Sequence, residues 1–214
     1  MTKSRYQRIL AVLQRRQPDL TVLAEDVYKP HNFSAIMRSC DAVGVGTVHA
    51  VNPTGGIPTF SATSASADKW VEVKVHNNIE EAIKGVRGSA KQILAAHLSD
   101  EALDYRDVDY TIPTCILLGN EKAGVSVAAA QHADHHIVIP MLGMVRSLNV
   151  SVAAAVVLFE AQRQRREIGF YKIPRLHPDS IARKAFSWLY PKEARRLDEI
   201  DEPYPELDEA GEFY

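Results

Sequence analysis

The sequence has few cysteines and no long apolar run. Cys40 and Cys115 are the only cysteines among 214 residues, and both lie in apolar contexts without CxxC spacing. This pattern excludes a disulfide framework and favours a reducing compartment. No stretch approaches the roughly 18 apolar residues that a membrane helix needs, and Met1–Arg16 lacks the apolar core of a signal peptide. These absences predict a soluble, cytoplasmic protein whose chain is long enough for one domain with additions at its ends.

Two familiar ligand motifs are also missing. Gly44 and Gly46 follow a predicted helix instead of joining a strand to a helix, and the sequence has no GxGxxG. This excludes the dinucleotide-binding fingerprint. His132, His135 and His136 fall between a predicted helix and a predicted strand, so they do not form an HxxxH helix face, and no cysteine accompanies them. We therefore predict no metal site.

Charge is distributed unevenly, although the formal net charge is only -2. Residues 1–16 carry five basic side chains and no acid, whereas residues 193–214 carry nine acids and two arginines. A mildly basic body with an acidic tail is common in proteins that bind phosphates. A solvated tail and a solvated helix face explain the charges equally well.

Strands and helices alternate along the chain with few hairpin signals. Helical spacing predicts a first helix over Tyr6–Arg15, ended by Pro18. The strands that we predict are Leu20–Val27, Thr47–Val51, Trp70–Val75, Gln92–His97, Thr114–Leu118 and Ile137–Ile139. Pro53–Lys69 is rich in Ser, Thr and Gly, which is typical of a binding loop or a mobile cover. The alternation predicts an α/β fold with a mainly parallel sheet flanked by helices.

The segment HNFSAIMRSCDAVG follows the first strand. Asn32 or Ser34 can cap a helix that runs to Gly44, and Asn32, Ala35 and Arg38 lie near one of its faces. A helix start after a strand binds anions through its free N–H groups and its dipole. Arg38 is therefore placed to meet a phosphate, although an ordinary surface arginine with a capping asparagine fits the same spacing.

The segment LLGNEKAG follows the strand Thr114–Leu118. Glycines at both ends of the turn, Gly119 and Gly124, allow the backbone to approach a ligand closely. Glu121 lies at the carboxyl end of a strand, where open α/β sheets bind ligands. The alternative is a loop carboxylate that caps the following helix.

The segment HHIVIPMLGMVRSLNVSVAAAVVLFEAQRQ has the strongest pattern in the chain. Its strand closes at Pro140, which cannot donate to a sheet ladder, and Ser147 and Asn149 are both candidate N-caps of the next helix. Val150–Phe159 is apolar all round, which predicts a buried helix. Its basic far end is expected to emerge into water and carries Arg163, Arg165 and Arg166.

Together, and in this order, the motifs NxxAxxR, LLGNExxG and IPMxGxxxSLNVSVAAA resemble those of the SPOUT superfamily of RNA methyltransferases, specifically its TrmH (SpoU) branch of ribose 2′-O-methyltransferases. The resemblance covers about residues 18–166 and implies a deep C-terminal trefoil knot, bound S-adenosylmethionine and an obligate homodimer through the third-motif helix. It also implies that residues 1–17 form a basic N-terminal helical extension. Residues 167–214 then form a C-terminal helical extension with an acidic tail.

The resemblance also implies the residues of the site. The cofactor pocket is expected to be lined by Ala96, Leu118, Gly119, Asn120, Ile139, Pro140, Met141 and Leu148. Asn120 departs from the glutamine expected there but keeps the amide. Arg38 takes the central catalytic role, surrounded by Asn32, Glu121, Ser147 and Asn149. Because a guanidinium stays protonated, we expect Arg38 to hold the phosphate beside the target ribose, while that phosphate or a nearby carboxylate receives the proton.

The implied substrate is tRNA, with guanosine 18 of the D-loop as the target. The expected phosphate contacts are Arg5, Arg8, Arg15, Arg16, Arg163 and Arg166. Aromatic residues can stack on a displaced base or pack the C-terminal helices, namely Phe170, Tyr171, Trp188 and Tyr190. A relative acting on ribosomal RNA and a knotted RNA-binding protein without catalysis are the alternatives. The short segment before the first strand favours tRNA, and the complete set of polar residues argues against loss of catalysis.

Overall fold

The computed structural model describes residues 3–51 and 69–213. The chain divides into two compact units, residues 18–168 and residues 1–17 with 169–214. The predicted loop Pro53–Lys69 lies, apart from Lys69, outside the described residues. No described helix is long and apolar enough to cross a membrane.

A parallel seven-stranded sheet forms the larger unit in the described part of the chain. Its strands are β1 Leu20–Glu25, β2 Thr47–Val51, β3 Glu72–His76, β4 Gln92–Ala96, β5 Leu103–Asp104, β6 Thr114–Leu118 and β7 His135–Val138. They lie side by side in the order β3-β2-β1-β6-β4-β7-β5. The predicted α/β class with a parallel sheet is confirmed.

The described residues also contain seven helices, four in the larger unit and three in the smaller one. The larger unit contains α2 Pro30–Ala42, α3 Ile79–Arg87, α4 Val127–His132 and α5 Val150–Glu167. The smaller unit contains α1 Lys3–Leu13, α6 Pro178–Leu189 and α7 Pro191–Glu199. In this smaller unit, Ile9 and Leu13 of α1 form an apolar cluster with Ala185 and Leu189 of α6.

Successive residues of β1 point to opposite faces of the sheet, and both faces are covered. Val22 and Ala24 belong to the core that contains the apolar residues of α2 and α5. Leu23 belongs to the core that contains those of α3 and α4. Burial on both faces explains why the strand reads as a continuous apolar run instead of an alternating one.

One face of α5 departs from the prediction of a helix buried all round. Ala154, Val157 and Leu158 are fully buried, but Val152 is 48% exposed and Phe159 is 49% exposed. These two residues are seven apart, so they share a face of the helix. Within one chain, α5 therefore has a buried face and an exposed apolar face.

The end of α5 also differs from the prediction that its arginines emerge into water. The side chain of Arg165 is 0% exposed. Its guanidinium donates to the carbonyl oxygens of Tyr110 (2.8 Å), Ile112 (3.0 Å) and Asp19 (3.3 Å), and to the Asp19 carboxylate (2.6 Å). The charge is buried because a carboxylate and three carbonyls together replace water.

The C-terminal tail is folded where the structure describes it. Phe213 packs edge-on against Tyr190, with 4.7 Å between ring centroids, and also contacts the ring of Phe186. The hydroxyl of Tyr190 donates to the carbonyl of Gly211 at 2.8 Å. Of the open alternatives for Tyr190, packing of the C-terminal helices is the one observed.

A buried histidine pair lies on β2 and β3. His49 is 4% exposed, its Nδ1 lies 2.9 Å from Nε2 of His76, and the two rings are stacked. Burial, reinforced by the nearby His76 and Lys74, lowers the pKa of His49 to about 4. The imidazole is therefore neutral in the folded protein at pH values where it is protonated in the unfolded chain.

This pair predicts a loss of stability in mild acid. The unfolded chain takes up the His49 proton near the ordinary pKa of 6.5, so stability is retained above that pH and falls as the pH approaches 4. The expected loss is about 2 kcal/mol at pH 5 relative to pH 8. Urea unfolding at a series of pH values measures it. A His49→Gln variant should reduce the change of unfolding free energy with pH, whereas His132→Gln, at an exposed residue, should leave that change as in the wild type. An equal change with pH in all three proteins would contradict the role of His49.

Candidate functional site

A cavity of about 380 Å³ lies at the carboxyl ends of β4, β6 and β7. Its walls come from the end of β4, the turn after β6, the segment between β7 and α5, and the first turns of α5. Because all strands are parallel, their carboxyl ends meet at one edge of the sheet, where α/β proteins bind ligands. The fold therefore joins segments that are far apart in the sequence.

The turn after β6 is fixed by its glycines and by Asn120. Asn120 and Gly124 exchange backbone hydrogen bonds of 2.9 Å in both directions, and Gly124 has a φ of +74°. A Cβ on Gly119 would lie 2.2 Å from the carbonyl carbon of Gly124, so no larger residue fits there. Oδ1 of Asn120 accepts from the backbone N–H groups of Lys122 and Ala123. The amide that replaces the expected glutamine thus shapes the turn.

The same asparagine ties the turn to the end of β1. Its Nδ2 donates to the carbonyl of Asp26 at 3.1 Å. Asp26 itself has a φ of +52°, a left-handed conformation in which asparagine and aspartate are the most tolerated non-glycine residues. The chain leaves β1 through this residue toward α2, so the start of α2 is held near the cavity.

Seven of the eight residues predicted for the cofactor pocket line the cavity. They are Ala96, Leu118, Gly119, Asn120, Ile139, Met141 and Leu148. Pro140 is exposed and is not among the lining residues. Pro140 lies between the lining residues Ile139 and Met141, beyond the end of β7, in a segment without regular secondary structure.

Three of the predicted catalytic residues form one hydrogen-bonded network. Nδ2 of Asn149 donates to Oδ1 of Asn32 at 3.2 Å, and Nδ2 of Asn32 donates to Oε1 of Glu121 at 2.5 Å. The second carboxylate oxygen of Glu121 is buried without a hydrogen-bond partner among the described residues. The network orients both amides and leaves Oε2 of Glu121 buried and without a hydrogen bond from the described residues.

The network corrects the predicted cap of α2. The helix begins at Pro30 after the N-cap residue Lys29, which makes no side-chain cap hydrogen bond. Asn32 lies inside the first turn and is 2% exposed, because its side chain is used by Glu121 and Asn149. The alternative role of Glu121 as a cap of the next helix is also excluded, since Ser126 caps α4.

The other predicted N-cap is confirmed. Asn149 is the N-cap of α5, and its Oδ1 accepts from the N–H of Ser151 at 2.8 Å. Ser147 precedes it and lines the cavity. One residue thus starts the helix with its oxygen and reaches Asn32 with its nitrogen.

Arg38 stands apart from this network. It is exposed, and it is not among the residues that line the cavity. Within the described residues, its guanidinium has no hydrogen-bond or ion-pair partner in the chain. The side chain is therefore available to an anionic ligand from outside.

The predicted RNA contacts fall into three groups. Arg5, Arg8 and Arg15 are exposed in or just after α1, and Arg166 is exposed on α5. Arg163 is exposed but pairs with Glu160 and Glu167, each at 2.7 Å. Arg16 is buried, with its guanidinium 5.5 Å from the centroid of the Trp188 ring. Its charge is not at the surface, which argues against the predicted phosphate contact.

Three ionisable residues of the cavity wall were not predicted from the sequence, namely His97, Lys122 and Arg146. Each adjoins a predicted residue in the chain, so adjacency was the only available signal. Desolvation, together with the nearby His136, lowers the pKa of His97 from its ordinary value. No group of three or more His, Cys, Asp or Glu side chains in residues 3–51 and 69–213 is placed to hold a metal ion.

Family models match nearly the whole chain. Residues 19–159 match the SpoU rRNA Methylase family, and residues 163–214 match the C-terminal region of SpoU rRNA methylases. The first match contains all three motifs and every residue of the Asn32–Glu121–Asn149 network.

Proteins of known function and structure are similar over most of their length. The tRNA (guanosine(18)-2′-O)-methyltransferase of Thermus thermophilus is 56% identical over 188 residues, which are 88% of this chain and 97% of that protein. The crystal structure of a TrmH/SpoU tRNA modifying enzyme from Aquifex aeolicus superposes with a TM-score of 0.82 at 42% identity, covering 88% of this chain and 96% of that one. The structure of an AdoMet-bound rRNA methyltransferase from Sinorhizobium meliloti gives a TM-score of 0.61 at 31% identity, and the match covers 74% of this chain and 60% of that one.

Proposed function

We propose that this chain, which belongs to the SpoU rRNA Methylase family, methylates the ribose 2′-hydroxyl of guanosine 18 in tRNA with S-adenosylmethionine as methyl donor. The observation that carries the proposal is the network of Asn32, Glu121 and Asn149 beside a ligand-sized cavity. The activity of the Thermus thermophilus relative supports both the substrate and the modified position.

The cavity fits S-adenosylmethionine in size and in the chemistry of its walls. Its volume of about 380 Å³ is in the range of small-molecule sites, which combine apolar walls with a few polar groups. Leu118, Ile139 and Leu148 can enclose the adenine, and backbone groups of the turn at Gly119 can satisfy its polar edge. The AdoMet-bound relative supports the same cofactor. When bound, the cofactor supplies a methyl group on a positively charged sulfur.

The protein must make a ribose hydroxyl reactive, because such a hydroxyl is a weak nucleophile. Arg38 is exposed and has no internal partner in the described chain, so it can hold the phosphate beside the target ribose and polarise the hydroxyl. It cannot accept the proton, because a guanidinium has no acceptor and remains charged. The Glu121 side chain is the carboxyl group proposed to receive the proton, through the buried oxygen that has no hydrogen-bond partner in the described residues.

Asn32 and Asn149 would contribute to catalysis by holding Glu121 in a fixed position. Asn32 is fixed at both ends by hydrogen bonds, so it holds Glu121 in one orientation relative to the start of α5. Prepositioned groups lower the barrier because the cost of orienting them is met during folding. Ser147 lies in the cavity wall at the same helix start and would contact the substrate or Arg38.

Exposed arginines would bind the tRNA backbone. Arg5, Arg8 and Arg15 lie together in sequence on the N-terminal helix or just after it, and Arg166 lies on α5. Contacts of this kind neutralise phosphates and weaken as salt concentration rises. We therefore assign catalysis to residues 18–166, with RNA binding by the extension at residues 1–17 and by Arg166 next to the C-terminal extension at residues 167–214.

The segment between β5 and β6 supports the expected trefoil knot. It leads from the edge of the sheet back to β6 near its centre, past β7 and β4. Nε2 of Gln164 donates to the carbonyl of Val108, and Oε1 of Gln164 accepts from the N–H of Tyr110. Arg165 bonds to the same segment. The helix α5, which follows β7, is thus hydrogen-bonded to the segment that crosses from β5 to β6. A chain that passes close to an earlier crossing segment is the arrangement from which a trefoil knot is formed.

A homodimer would cover the exposed apolar face of α5. Val152 and Phe159 share that face and are each about half exposed. A Phe159→Lys variant should shift the protein from dimer to monomer at micromolar concentration, because a charge in an apolar interface core must be desolvated without a partner. Light scattering during size exclusion measures the mass. Arg163→Lys on the same helix is the control; an unchanged dimer with Phe159→Lys would contradict this interface.

Labelled methyl transfer to unmodified tRNA transcripts, followed by nuclease mapping, tests the proposed function. We expect label on the ribose of the D-loop guanosine. Transfer to ribosomal RNA but not to tRNA would assign the chain to the other substrate of the family. No transfer to either RNA, with S-adenosylmethionine still bound, would support a non-catalytic RNA-binding protein.

A further inference from the structure

Arg146 is a cation of the cavity wall that belongs to neither the predicted catalytic set nor the predicted cofactor set. It lies in the segment between β7 and α5, lines the cavity and is exposed. In the part of the chain that the structure describes, no hydrogen bond or ion pair holds its guanidinium. A long cationic side chain at a cavity without an internal partner points to an anionic group of the ligand.

The charges of the cavity wall narrow the choice of that group. Apart from His97, its ionisable side chains are Arg146, Lys122 and Glu121, and Glu121 already accepts from Asn32. The wall therefore offers more cations than anions, and its one carboxylate uses Oε1 to accept from Asn32. S-adenosylmethionine carries a cationic sulfonium and a cationic ammonium, and its α-carboxylate is its only anionic group.

We propose that Arg146 binds the α-carboxylate of the cofactor and so determines affinity for the amino-acid part of the ligand. This inference rests on the proposed function. A guanidinium presents parallel N–H donors that match the two oxygens of a carboxylate, whereas the lysine ammonium of Lys122 acts as a point charge. Arg146 also directly precedes Ser147 and Leu148, which line the same cavity. Binding the carboxylate would therefore draw the segment before α5 onto the ligand.

Isothermal titration without RNA tests the assignment with a pair of ligands. S-adenosylmethionine and its decarboxylated analogue differ in the carboxylate alone. Arg146→Gln should weaken the binding of S-adenosylmethionine about tenfold, the loss expected when a pair of charge-assisted hydrogen bonds is removed. The same variant should bind the decarboxylated analogue at least as tightly as the wild type, because the guanidinium repels a ligand that carries only positive charges. The affinity of Arg146→Lys for S-adenosylmethionine should lie between those of the wild type and Arg146→Gln.

Lys91→Gln provides the matched control. Lys91 is exposed at the amino end of β4, the opposite end of that strand from the cavity. Removing its charge should change both dissociation constants by less than about twofold, because separated surface charges are largely screened.

Three results would overturn the proposal. An equal loss of affinity for both ligands in Arg146→Gln would mean that the side chain shapes the cavity without recognising the carboxylate. Unchanged cofactor affinity together with a raised KM for tRNA would assign Arg146 to an RNA phosphate. Absence of S-adenosylmethionine binding by the wild-type chain would overturn the proposed function together with this inference, whereas the first two results leave that function intact.

Discussion

Replacing Arg38 with alanine is expected to lower kcat for tRNA methylation at least about 100-fold, the usual loss when a charged donor to the reacting centre is removed. The dissociation constant for S-adenosylmethionine should stay within about twofold, because Arg38 does not line the cavity. Single-turnover methyl transfer and separate cofactor titration distinguish the two quantities.

The lysine variant sharpens this prediction. Arg38→Lys keeps the charge but loses the planar pair of donors that binds a phosphate bidentately. We therefore expect this variant to lose most of the methylation activity. Arg196→Lys is the control, since Arg196 is an exposed arginine of α7 whose side chain bonds to Glu193. An Arg38→Lys enzyme with most of its turnover at neutral pH would refute the bidentate role, and a loss confined to cofactor affinity would refute the phosphate role.

Replacing Arg165 with methionine is expected to reduce the free energy of unfolding by about 3–5 kcal/mol, the range for breaking a buried ion pair from one side. Methionine fills part of the volume but donates nothing. The Asp19 carboxylate and the carbonyls of Tyr110 and Ile112 would then lose the donors that satisfy them. Urea unfolding at one fixed protein concentration measures the change.

Neighbouring variants separate this role from a general effect on α5. Arg166→Met removes an exposed arginine from the next position of the same helix and should change stability by less than about 0.5 kcal/mol. Asp19→Asn keeps an acceptor oxygen for Arg165 and should cost less than Arg165→Met. If Arg165→Met and Arg166→Met are equally stable, the buried guanidinium does not stabilise the fold as described.

The strands were the part of the fold most accessible to sequence reasoning. β2 and β6 have the bounds that apolar patterning predicts, Thr47–Val51 and Thr114–Leu118. Strands buried on both faces are short apolar runs bounded by polar or turn residues, so the signal is local and strong. The start of α5 at Asn149 was predictable for the same reason, since a cap acts on N–H groups two residues away.

Long-range hydrogen bonds explain where sequence reasoning failed. Asn32 is spaced like a helix cap, but its partners Glu121 and Asn149 lie 89 and 117 residues away. Arg165 follows Arg163 in a basic run, yet its hydrogen-bond partners lie far away in the sequence. Ile112, Tyr110 and Asp19 are separated from it by 53, 55 and 146 positions. Periodicity does not indicate which polar side chain of a helix has such partners.

The sequence by itself determined the α/β class, the strand positions and three motifs that resemble one family, because these depend on local apolar pattern and on residue type. Only the tertiary structure decided that Asn32 joins Glu121 instead of capping α2, that Arg165 is interior, and that Arg146 faces the cavity. Those outcomes depend on which chain segments the parallel sheet brings together. The segments after β4, β6 and β7 meet at the cavity, whereas the segments before β1 and β6 meet at Arg165. Whether a polar side chain finds a hydrogen-bond partner therefore depends on which segment the fold places beside it.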